Sequence, residues 1–360
     1  MNWINMPVIL LLPCAGANSK GLYWLDSSGK PKTVQTPIEA DTAGAALRAR
    51  YASGSVAWLS RPKSFALDPP SCNAHNDVAV KAFTARYAYG WMKGQRAGAV
   101  EAVRHFDPSF YYTKVTDRES ASGGGSDLGK VTTDDRAFIA MIIRQYNIST
   151  MIDVPAGDVN WQFGAWELDA LTSYVGLDIV PHVVEFNSAR YSHHSNKIFA
   201  NWDMANCAFP RIRQLSTIRH DPDGSVAHAR ARDEGAPVPA ELILSRHVLN
   251  HLPLERARRA AANLVSSGSR YQLISADYNT SKPSWACMGI ACQEGGFMLP
   301  DMAALDFPRP HACSTYGICL YEFDDETRQR WLNTHQDWLN MSSRMEHINT
   351  RTHCAKWTCT

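Results

Sequence analysis

The sequence predicts an α/β protein whose core is a mostly parallel, doubly wound sheet, preceded by a partly helical N-terminal extension. Two observations carry this prediction. From residue 150 onwards, short apolar segments typical of buried strands alternate with helix-length amphipathic segments. The chain has 360 residues, 45% of them hydrophobic and 20% charged, which is enough for one large α/β domain with additions.

The N-terminal extension is predicted to span residues 1–108. Residues 1–17 have a short apolar core followed by Ala-Gly-Ala, which resembles the cleavage region of a secretory signal, although no basic residue precedes the core. A buried strand or a frayed terminus explains these residues equally well. Residues 20–70 are rich in Gly, Pro, Ser and Lys, and residues 75–105 have apolar side chains at helical spacing.

The alternating region contains strand-like segments separated by helices. In chain order the strands are STMIDV, YVGLDIV, KIFANWDM, AELILSRHVL and RYQLISADY, followed later by YGICLYEFDD. A helix before the first strand has Thr133 as its predicted N-cap, with acidic residues in the first turn. The helix after the fourth strand has Pro253 at its start and Gly268 past its end. A C-terminal helix and tail are predicted for residues 326–360.

Two polar segments interrupt this order. Residues 211–239 are basic and rich in Pro and Gly, and they predict a surface insertion between two strands. The segment ESASGGGS at residues 119–126, taken by itself, is typical of a flexible linker.

Three consecutive strands each carry an aspartate near their carboxyl end, namely Asp153, Asp178 and Asp203. In a doubly wound sheet, ligands bind at this edge. Gly157 follows in the first turn, where the lack of a side chain lets the backbone approach a ligand. A carboxylate after the second strand can accept hydrogen bonds from both hydroxyls of a ribose. The pattern therefore predicts a cofactor that contains a nucleoside.

The first turn distinguishes between two such cofactors. A nicotinamide dinucleotide requires Gly-x-Gly-x-x-Gly around its pyrophosphate. Here Gly157 stands alone, Pro155 and Val159 occupy positions that favour small residues, and Asp153 would repel a pyrophosphate. S-adenosyl-L-methionine has no phosphate, and its methionine end carries a positive ammonium and a positive sulfonium. The acidic strand end therefore favours S-adenosylmethionine over NAD.

The segments MIDVPAGDVNW, YVGLDIV, FANWDM and ELILSRHVLNHLPLERARRAAANLVSSGSRYQLIS resemble the successive motifs of class I, Rossmann-like, S-adenosylmethionine-dependent methyltransferases. The resemblance is closest to a mostly bacterial, poorly characterised group of small-molecule methyltransferases, which is also similar in ESASGGGS and in GGFMLPDMAALDFPRP. It implies a seven-stranded sheet whose last strand, YGICLYEF, runs antiparallel. The methyltransferase domain is accordingly predicted to span residues 109–325, with the insertion inside it.

The resemblance also implies roles for individual residues. The implied cofactor-binding residues are Asp153 and Gly157 at the methionine part, Asp178 at the ribose, Asp203 and Met204 at the adenine, Ser245 and Arg246 after the fourth strand, and the neighbouring Pro155, Asp158 and Ile179. The implied substrate or lid residues are Ser122, Gly125, Ser126, Asn160, Trp161 and Asn250. ESASGGGS is expected to fold over the mouth of the cofactor site as a lid.

Methyl transfer from a sulfonium is a direct displacement, so positioning of the nucleophile supplies most of the catalysis. A general base is needed only when the nucleophile arrives protonated. His247 is the candidate, because a near-neutral pKa suits proton removal, although a packing role in the pocket wall explains it as well. The spacing His-Val-Leu-Asn-His lacks the glutamate of a zinc protease, and the cysteine spacings are wider than Cys-x-x-Cys. No metal is expected.

The formal net charge of +1 and the lack of a nucleic-acid-binding module favour a small-molecule substrate over DNA or RNA. No apolar run reaches the length that spans a bilayer. The principal alternative is a methyltransferase-like binding or scaffold protein without turnover, for which the three aspartates have no evident use. An NAD-binding oxidoreductase is the second alternative.

The nine cysteines bear on the cellular compartment. If the N-terminal segment is a secretory signal, we expect oxidised pairs among Cys287–Cys292, Cys313–Cys319 and Cys354–Cys359. If the protein is cytoplasmic, all nine cysteines should be reduced. We favour the cytoplasm, because S-adenosylmethionine is made there.

Overall fold

The computed structural model describes residues 23–25, 31–33, 63–72, 76–89, 120–122, 124–163, 166–215, 235–275 and 302–340. Its strands are β1 (Tyr23–Leu25), β2 (Pro31–Thr33), β3 (Phe65–Asp68), β4 (Thr150–Asp153), β5 (Ser173–Asp178), β6 (Lys197–Asn201), β7 (Arg211–Gln214), β8 (Leu242–Ser245), β9 (Tyr271–Ser275), β10 (Ala312–Cys313) and β11 (Ile318–Glu322). Its α-helices are α1 (Asp77–Tyr89), α2 (Lys130–Gln145), α3 (Trp166–Asp169), α4 (Pro181–Arg190), α5 (Leu254–Ser266), α6 (Asp325–Thr334) and α7 (Gln336–Asn340).

The central sheet has seven strands in the order β10-β11-β9-β8-β4-β5-β6. The strands β4, β5, β6, β8 and β9 run parallel to one another, and β11 runs antiparallel between β9 and β10. The chain builds outwards from β4 to β6, then returns to β8 on the other side of β4. The strand order therefore reverses between β4 and β8, which is where open α/β sheets bind ligands. The predicted doubly wound sheet and its antiparallel last strand are confirmed.

Both faces of the sheet are covered, which explains why its strands are apolar along their whole length. All four residues of β4 and of β8, and all six of β5, are buried. On one face, Ile152 packs in a cluster with side chains from α1, α4 and α5. On the other face, Met151 packs in a cluster with side chains from α2 and α3.

Helix α2 begins at Lys130, three residues before the predicted N-cap Thr133. The hydroxyl of Thr132 accepts a hydrogen bond from the Gly129 backbone N–H at 3.1 Å, and this contact closes the first turn early. Thr133 lies inside the helix, where its hydroxyl donates to the Gly129 carbonyl at 2.9 Å. The N-cap is Gly129, which has no side chain to mark it in the sequence, so the predicted cap Thr133 was wrong.

Part of the N-terminal extension packs into the same core as the sheet. Strand β3 pairs antiparallel with β7, and Phe65 and Leu67 of β3 are buried. Phe83 and Tyr87 of α1 join the core cluster that contains Ile152. The signal-like segment at residues 1–17 lies outside the described residues.

The predicted insertion at 211–239 is anchored at both ends. Its first residues form β7, and Ile212 of that strand is fully buried and forms a β-bridge with Val238. These ends were expected to be surface loop, because the polar composition of the segment hides Ile212, an apolar residue that packs inward. Residues 216–234 lie outside the described residues.

The described residues contain two disulfides. Cys313–Cys319 joins β10 to β11, as the secretory alternative predicts, and Cys72–Cys207 joins two cysteines 135 residues apart. The second pair had no signal in the sequence, because its partners meet only through tertiary structure. The pairs Cys287–Cys292 and Cys354–Cys359 lie outside the described residues.

The predicted C-terminal helix is divided into α6 and α7. Trp331, His335 and Trp338 are buried, with the His335 ring centroid 4.4 Å from that of Trp331 and 4.0 Å from that of Trp338. Among the described helices, none is long and apolar enough to cross a membrane.

Candidate active site

A cleft opens at the carboxyl ends of β4, β5, β6 and β8, where the strand order reverses. It has a cavity volume of about 320 Å³, within the range of small-molecule sites. One wall comes from Phe83 and Tyr87 of α1, and the segment that contains Ser122 and Gly125 lies at the mouth. The N-terminal extension and the predicted lid thus both contribute to the cleft.

Asp153, the last residue of β4, is only half satisfied by the protein. Its Oδ2 accepts hydrogen bonds from Gln162 Nε2 at 3.0 Å and from the Tyr174 hydroxyl at 2.6 Å. Its Oδ1 is buried and has no hydrogen-bond partner among the described residues. Burial raises the pKa of Asp153 to about 7, against the lowering effect of these two donors. A buried carboxylate oxygen without a donor is costly, so this atom has an unused capacity to accept a hydrogen bond.

Asp178, the last residue of β5, fixes the turn that follows β4. Its Oδ2 accepts from the Gly157 backbone N–H at 3.0 Å, and its Oδ1 accepts from the Val180 backbone N–H at 2.9 Å. Asp178 is 3% exposed, and burial raises its pKa to about 6. Each oxygen keeps a second lone pair, so the carboxylate can still accept a hydroxyl hydrogen bond from the cleft.

The turn between β4 and α3 requires two left-handed residues. Gly157 has φ +60°, and Val159, where a glycine-rich turn would have another glycine, has φ +50°. A left-handed conformation is unfavourable for a β-branched residue. Two contacts from α4 hold the strained turn, because Asn187 Nδ2 donates to the Gly157 carbonyl at 2.7 Å and Arg190 Nη1 donates to the Asp158 carbonyl at 3.2 Å.

Asp158 fastens the segment at residues 120–126 to this turn. Its carboxylate accepts hydrogen bonds from the Ser120 hydroxyl at 2.7 Å, the Ala121 backbone N–H at 2.7 Å and the Ser122 hydroxyl at 3.1 Å. Ser122 Oγ also lies 3.0 Å from the Tyr87 hydroxyl. Residues 120–122 and 124–126 therefore lie against the turn that follows β4, which contradicts the linker interpretation and agrees with the position expected of a lid.

Asp203 is fully engaged by the protein. It accepts from the backbone N–H groups of Asn76 at 3.1 Å and Ala205 at 3.0 Å, from Asn206 Nδ2 at 2.8 Å and from Arg256 Nη2 at 2.9 Å. The pairing with Asn76 fixes the start of α1. Asp203 lies in the cleft wall, but its hydrogen bonds mainly hold the wall together.

Arg246, which follows β8, lies between a helix and the lid. Its Nε donates to Asp135 Oδ2 at 2.9 Å, its Nη2 donates to the Gly125 carbonyl at 2.8 Å, and its guanidinium carbon lies 4.8 Å from the centroid of the Trp161 ring. Burial lowers the pKa of Arg246, and Asp135 opposes this effect.

His247 has a strained backbone, with φ +54°, and its residue surface is exposed at the cleft. The ring is nevertheless closely surrounded by protein atoms, and the resulting desolvation, together with the charge of Arg246, lowers the pKa of His247 to about 3. The ring is therefore neutral at pH 7 and is a weaker base than an ordinary imidazole. The near-neutral pKa expected from the sequence is not found, first because the ring is desolvated and then because the preceding residue is a buried cation.

The cleft brings most of the predicted site residues together. Those that line it are Ser122, Gly125, Ser126, Asp153, Pro155, Gly157, Asp158, Trp161, Asp178, Ile179, Asp203, Met204, Arg246, His247 and Asn250. Ser245 and Asn160 do not line it. Ser245 is 1% exposed at the end of β8, and Asn160 Nδ2 instead donates to the Ser126 carbonyl at 3.1 Å.

The sequence prediction missed several cleft residues. Phe83 and Tyr87 lie in a helix for which the resemblance offered no counterpart, so nothing linked that helix to the cofactor edge. Gln162 and Trp202 each lie close in sequence to a predicted residue, and proximity to Trp161 and Asp203 was the only available signal. The described part of the chain has no cluster of three or more side chains suited to hold a metal ion.

The sheet order decides the fold. A seven-stranded sheet with an antiparallel strand between the last two parallel ones, and with its cleft where the order reverses, matches the arrangement implied by the motifs. The chain has the class I methyltransferase fold.

Comparisons with known proteins find similarity only to solved structures, and only at low identity. Neither a protein-family model nor a curated protein matches the chain. Among solved structures, magnesium protoporphyrin IX methyltransferase from Synechocystis PCC 6803 with bound SAM is 13% identical, with a TM-score of 0.35, over 70% of this chain and 98% of that one. Human N-acetylserotonin methyltransferase in complex with SAM is 12% identical, with a TM-score of 0.38, over 68% of this chain and 59% of that one.

The methyltransferase domain of bacterial CtHen1-C is 12% identical, with a TM-score of 0.28, over 40% of this chain and 64% of that one. The chain thus spans less than two thirds of this domain and of the human enzyme. Identities and TM-scores this low carry no information on what a chain with the class I methyltransferase fold acts upon.

Proposed function

We propose that the protein is an S-adenosylmethionine-dependent methyltransferase that acts on a small-molecule nucleophile. The observation that carries the proposal is the Asp153 carboxylate, whose buried Oδ1 has no donor among the described residues. A ligand with a positive group at this position would satisfy it. Asp178 and Gly157 lie beside it, where a ribose and a close backbone approach are needed.

The residues present fit this cofactor better than a nicotinamide dinucleotide. Three aspartates, Asp153, Asp158 and Asp178, line the cleft, and negative charge there disfavours a pyrophosphate. We assign the methionine end to Asp153 and Gly157, the ribose to Asp178, and the adenine to the wall formed by Trp202 and Met204. The cofactor would supply an activated methyl group with a neutral leaving group.

The chain's own task is then mainly positioning. Because displacement at a sulfonium needs nucleophile, methyl carbon and sulfur in line, a closed cleft that fixes the acceptor and excludes water supplies much of the rate. His247 is neutral at pH 7 and faces the cleft, so it can accept a hydrogen bond from the acceptor. Its lowered pKa makes it poorly suited to remove a proton from an acceptor of high pKa.

A binding protein without turnover remains the second candidate. The reduced glycine turn is the observation that favours it, since Val159 is strained where a glycine-rich motif would relax. Binding of the cofactor distinguishes both candidates from an oxidoreductase, and methyl transfer distinguishes them from each other.

The test is isothermal calorimetry of the full chain with S-adenosylmethionine, S-adenosylhomocysteine and NAD, followed by a metabolite screen with methyl-labelled cofactor. We expect both adenosyl compounds to bind, NAD not to bind, and the label to appear in a small molecule. Asp178→Asn should raise the Kd for S-adenosylmethionine about tenfold or more, because the ribose hydroxyls lose a charged acceptor.

Glu185→Gln, an exposed carboxylate on α4, is the matched control and should leave the Kd unchanged. Binding of NAD without binding of S-adenosylmethionine would overturn the proposal. Binding without any labelled product would favour the non-catalytic candidate.

A further inference from the structure

Helix α2 places one carboxylate in the protein interior behind the cleft. Asp135 is 1% exposed and forms a buried ion pair with Arg246, with Asp135 Oδ2 and Arg246 Nε 2.9 Å apart. Its other oxygen, Oδ1, accepts a hydrogen bond from the Ser314 hydroxyl at 2.9 Å. A buried ion pair contributes little net stability, since desolvation of the two charges offsets their attraction. Its use must therefore be sought in what it holds in place.

Arg246 transmits this contact to the mouth of the cleft. Its Nη2 donates to the carbonyl of Gly125 at 2.8 Å, in the segment that covers the cofactor turn. A Cβ atom placed on Gly125 would lie 3.7 Å from His247 Nε2. Gly125 therefore also borders His247, the side chain proposed to contact the methyl acceptor. The guanidinium thus connects the rigid helix α2 to the part of the lid nearest His247.

The lid is held at two ends by separate groups. Its first end, at Ser120–Ser122, is fastened by Asp158. Its second end, at Gly125–Ser126, is fastened by Arg246 and by Asn160. Arg246 therefore supplies one of the two side-chain contacts that set the position of the second end.

We propose that Asp135 is a positioning residue, which fixes Arg246 and thereby holds the Gly125–Ser126 end of the lid closed over the cleft. Without its charge, the carboxylate that still attracts the Arg246 guanidinium electrostatically is Asp153, whose Oδ1 has no donor among the described residues. The guanidinium would turn towards Asp153 and release Gly125. Retention of a cofactor by the closed lid rests on the proposed function. The anchor, meaning the contact from Asp135 through Arg246 to Gly125, does not depend on it.

The test measures opening of that end directly, in the full chain without ligand. Endoproteinase Asp-N cleaves before aspartate, and the Ser126–Asp127 bond lies next to the two anchored carbonyls. We expect Asp135→Asn to raise the rate of cleavage at Ser126–Asp127 about tenfold, since a hydrogen bond to a charged group is lost. Cleavage before the buried Asp178, which requires larger unfolding, serves as the internal reference.

Two variants separate positioning from general destabilisation. Asp134→Asn makes the same chemical change one residue earlier. No described contact joins Asp134 to Arg246 or to the lid, so this variant should leave the rate of cleavage at Ser126–Asp127 unchanged. Ile139→Ala removes a buried side chain of α2 and should raise cleavage at Ser126–Asp127 and before Asp178 by the same factor. Equal factors at both bonds in Asp135→Asn would overturn the proposal.

The consequence for the cofactor is measured separately. Asp135→Asn should raise the dissociation rate of S-adenosylmethionine about tenfold, while Ile139→Ala leaves it unchanged. If the wild-type protein does not bind the cofactor but Ser126–Asp127 cleavage responds as expected, the proposed function fails and the anchor stands. If the wild type binds and neither the cleavage rate nor the dissociation rate responds, the anchor fails and the proposed function stands.

Discussion

Asp153, Asp178 and Asp203 occupy equivalent places at the ends of three neighbouring strands, yet their surroundings differ. Asp203 accepts four hydrogen bonds, one of them from Arg256, and holds the start of α1. Asp178 accepts two backbone N–H groups. Asp153 alone keeps a buried oxygen without a donor among the described residues. Removing Asp178 as Asp178→Ala would remove both backbone hydrogen bonds of the turn as well as the ribose site, whereas the carbonyl oxygen of an isosteric asparagine keeps one of the two, so asparagine is the milder probe.

The raised pKa of Asp153, about 7, predicts that cofactor binding depends on pH. A positive ligand requires the ionised carboxylate, so the Kd for S-adenosylmethionine should rise about tenfold or more as the pH falls from 8 to about 5.5. Asp178, with a pKa of about 6, should add to the loss at the lower end. Calorimetry across this pH range measures the effect, and Asp153→Asn should bind weakly with a much flatter profile.

The raised pKa of Asp153 has the opposite effect on the stability of the cofactor-free protein, which should fall as the pH rises. Because the folded state binds the proton of Asp153 more tightly than the unfolded chain does, its stabilising contribution is fully present below the unfolded pKa of about 4. That contribution is lost as the pH rises through about 7. Urea titrations that show no difference in pH slope between wild type and Asp153→Asn would contradict this assignment.

At the scale of elements, the lid, the cofactor turn and α1 form one assembly around Ser122. Ser122 Oγ accepts the Asp158 backbone N–H at 3.0 Å, donates to the Asp158 carboxylate and lies beside the Tyr87 hydroxyl. Gly157 packs so closely against the lid that a Cβ atom at this position would collide with Ser122 Oγ. The glycine is therefore required as much by the lid as by a ligand.

Gly157→Ala should displace the lid and weaken cofactor binding at least tenfold. The methyl group meets Ser122, and φ of +60° costs an L-residue about 1 kcal/mol or more. Calorimetry and thermal unfolding measure the two effects. Gly235→Ala is the control, since a Cβ atom there has nothing within 4 Å, and it should change neither quantity. Unchanged binding in Gly157→Ala would mean that the lid adapts without consequence for the cleft.

Sequence patterns predicted the parts of the fold that depend on local periodicity and missed those that depend on tertiary contact. The apolar strands and the aspartates at their ends follow from period and position, so the sheet and most of the cleft lining were predictable. The polar segment at 211–239 concealed Ile212, and the pairing of β3 with β7 brings together residues more than 140 positions apart. Likewise, the place of Tyr87 in the cleft depends on a helix whose docking the sequence does not indicate.

At the scale of the whole molecule, the two disulfides close chain segments of very different length. Cys72–Cys207 closes a segment of 135 residues and ties the strand-to-helix connection before α1 to the loop after β6. Cys313–Cys319 closes a separation of only 6 residues within one hairpin. Loop-closure entropy therefore predicts a larger contribution to stability from the first, about 5 kcal/mol against about 2 kcal/mol for the second.

The paired variants Cys72→Ala/Cys207→Ala and Cys313→Ala/Cys319→Ala test this order. We expect the first pair to lose more free energy of unfolding in urea titrations without reductant, because the longer segment gains more freedom when unfolded. The second pair serves as the matched control. A wild-type unfolding curve that does not respond to reductant would show that both pairs are reduced thiols in solution, as expected of a cytoplasmic protein.

The left-handed backbone of Val159 has a consequence for how such turns are recognised. The dihedral angle normally associated with glycine persists here on a β-branched residue, while α4 supports the loop through Asn187 and Arg190. The turn requires a left-handed torsion angle at this position, and a residue other than glycine adopts it here while neighbouring side chains hold the loop. Signatures written as strings of glycines will overlook chains of this kind, whereas signatures written as backbone torsions together with their supporting contacts will detect them.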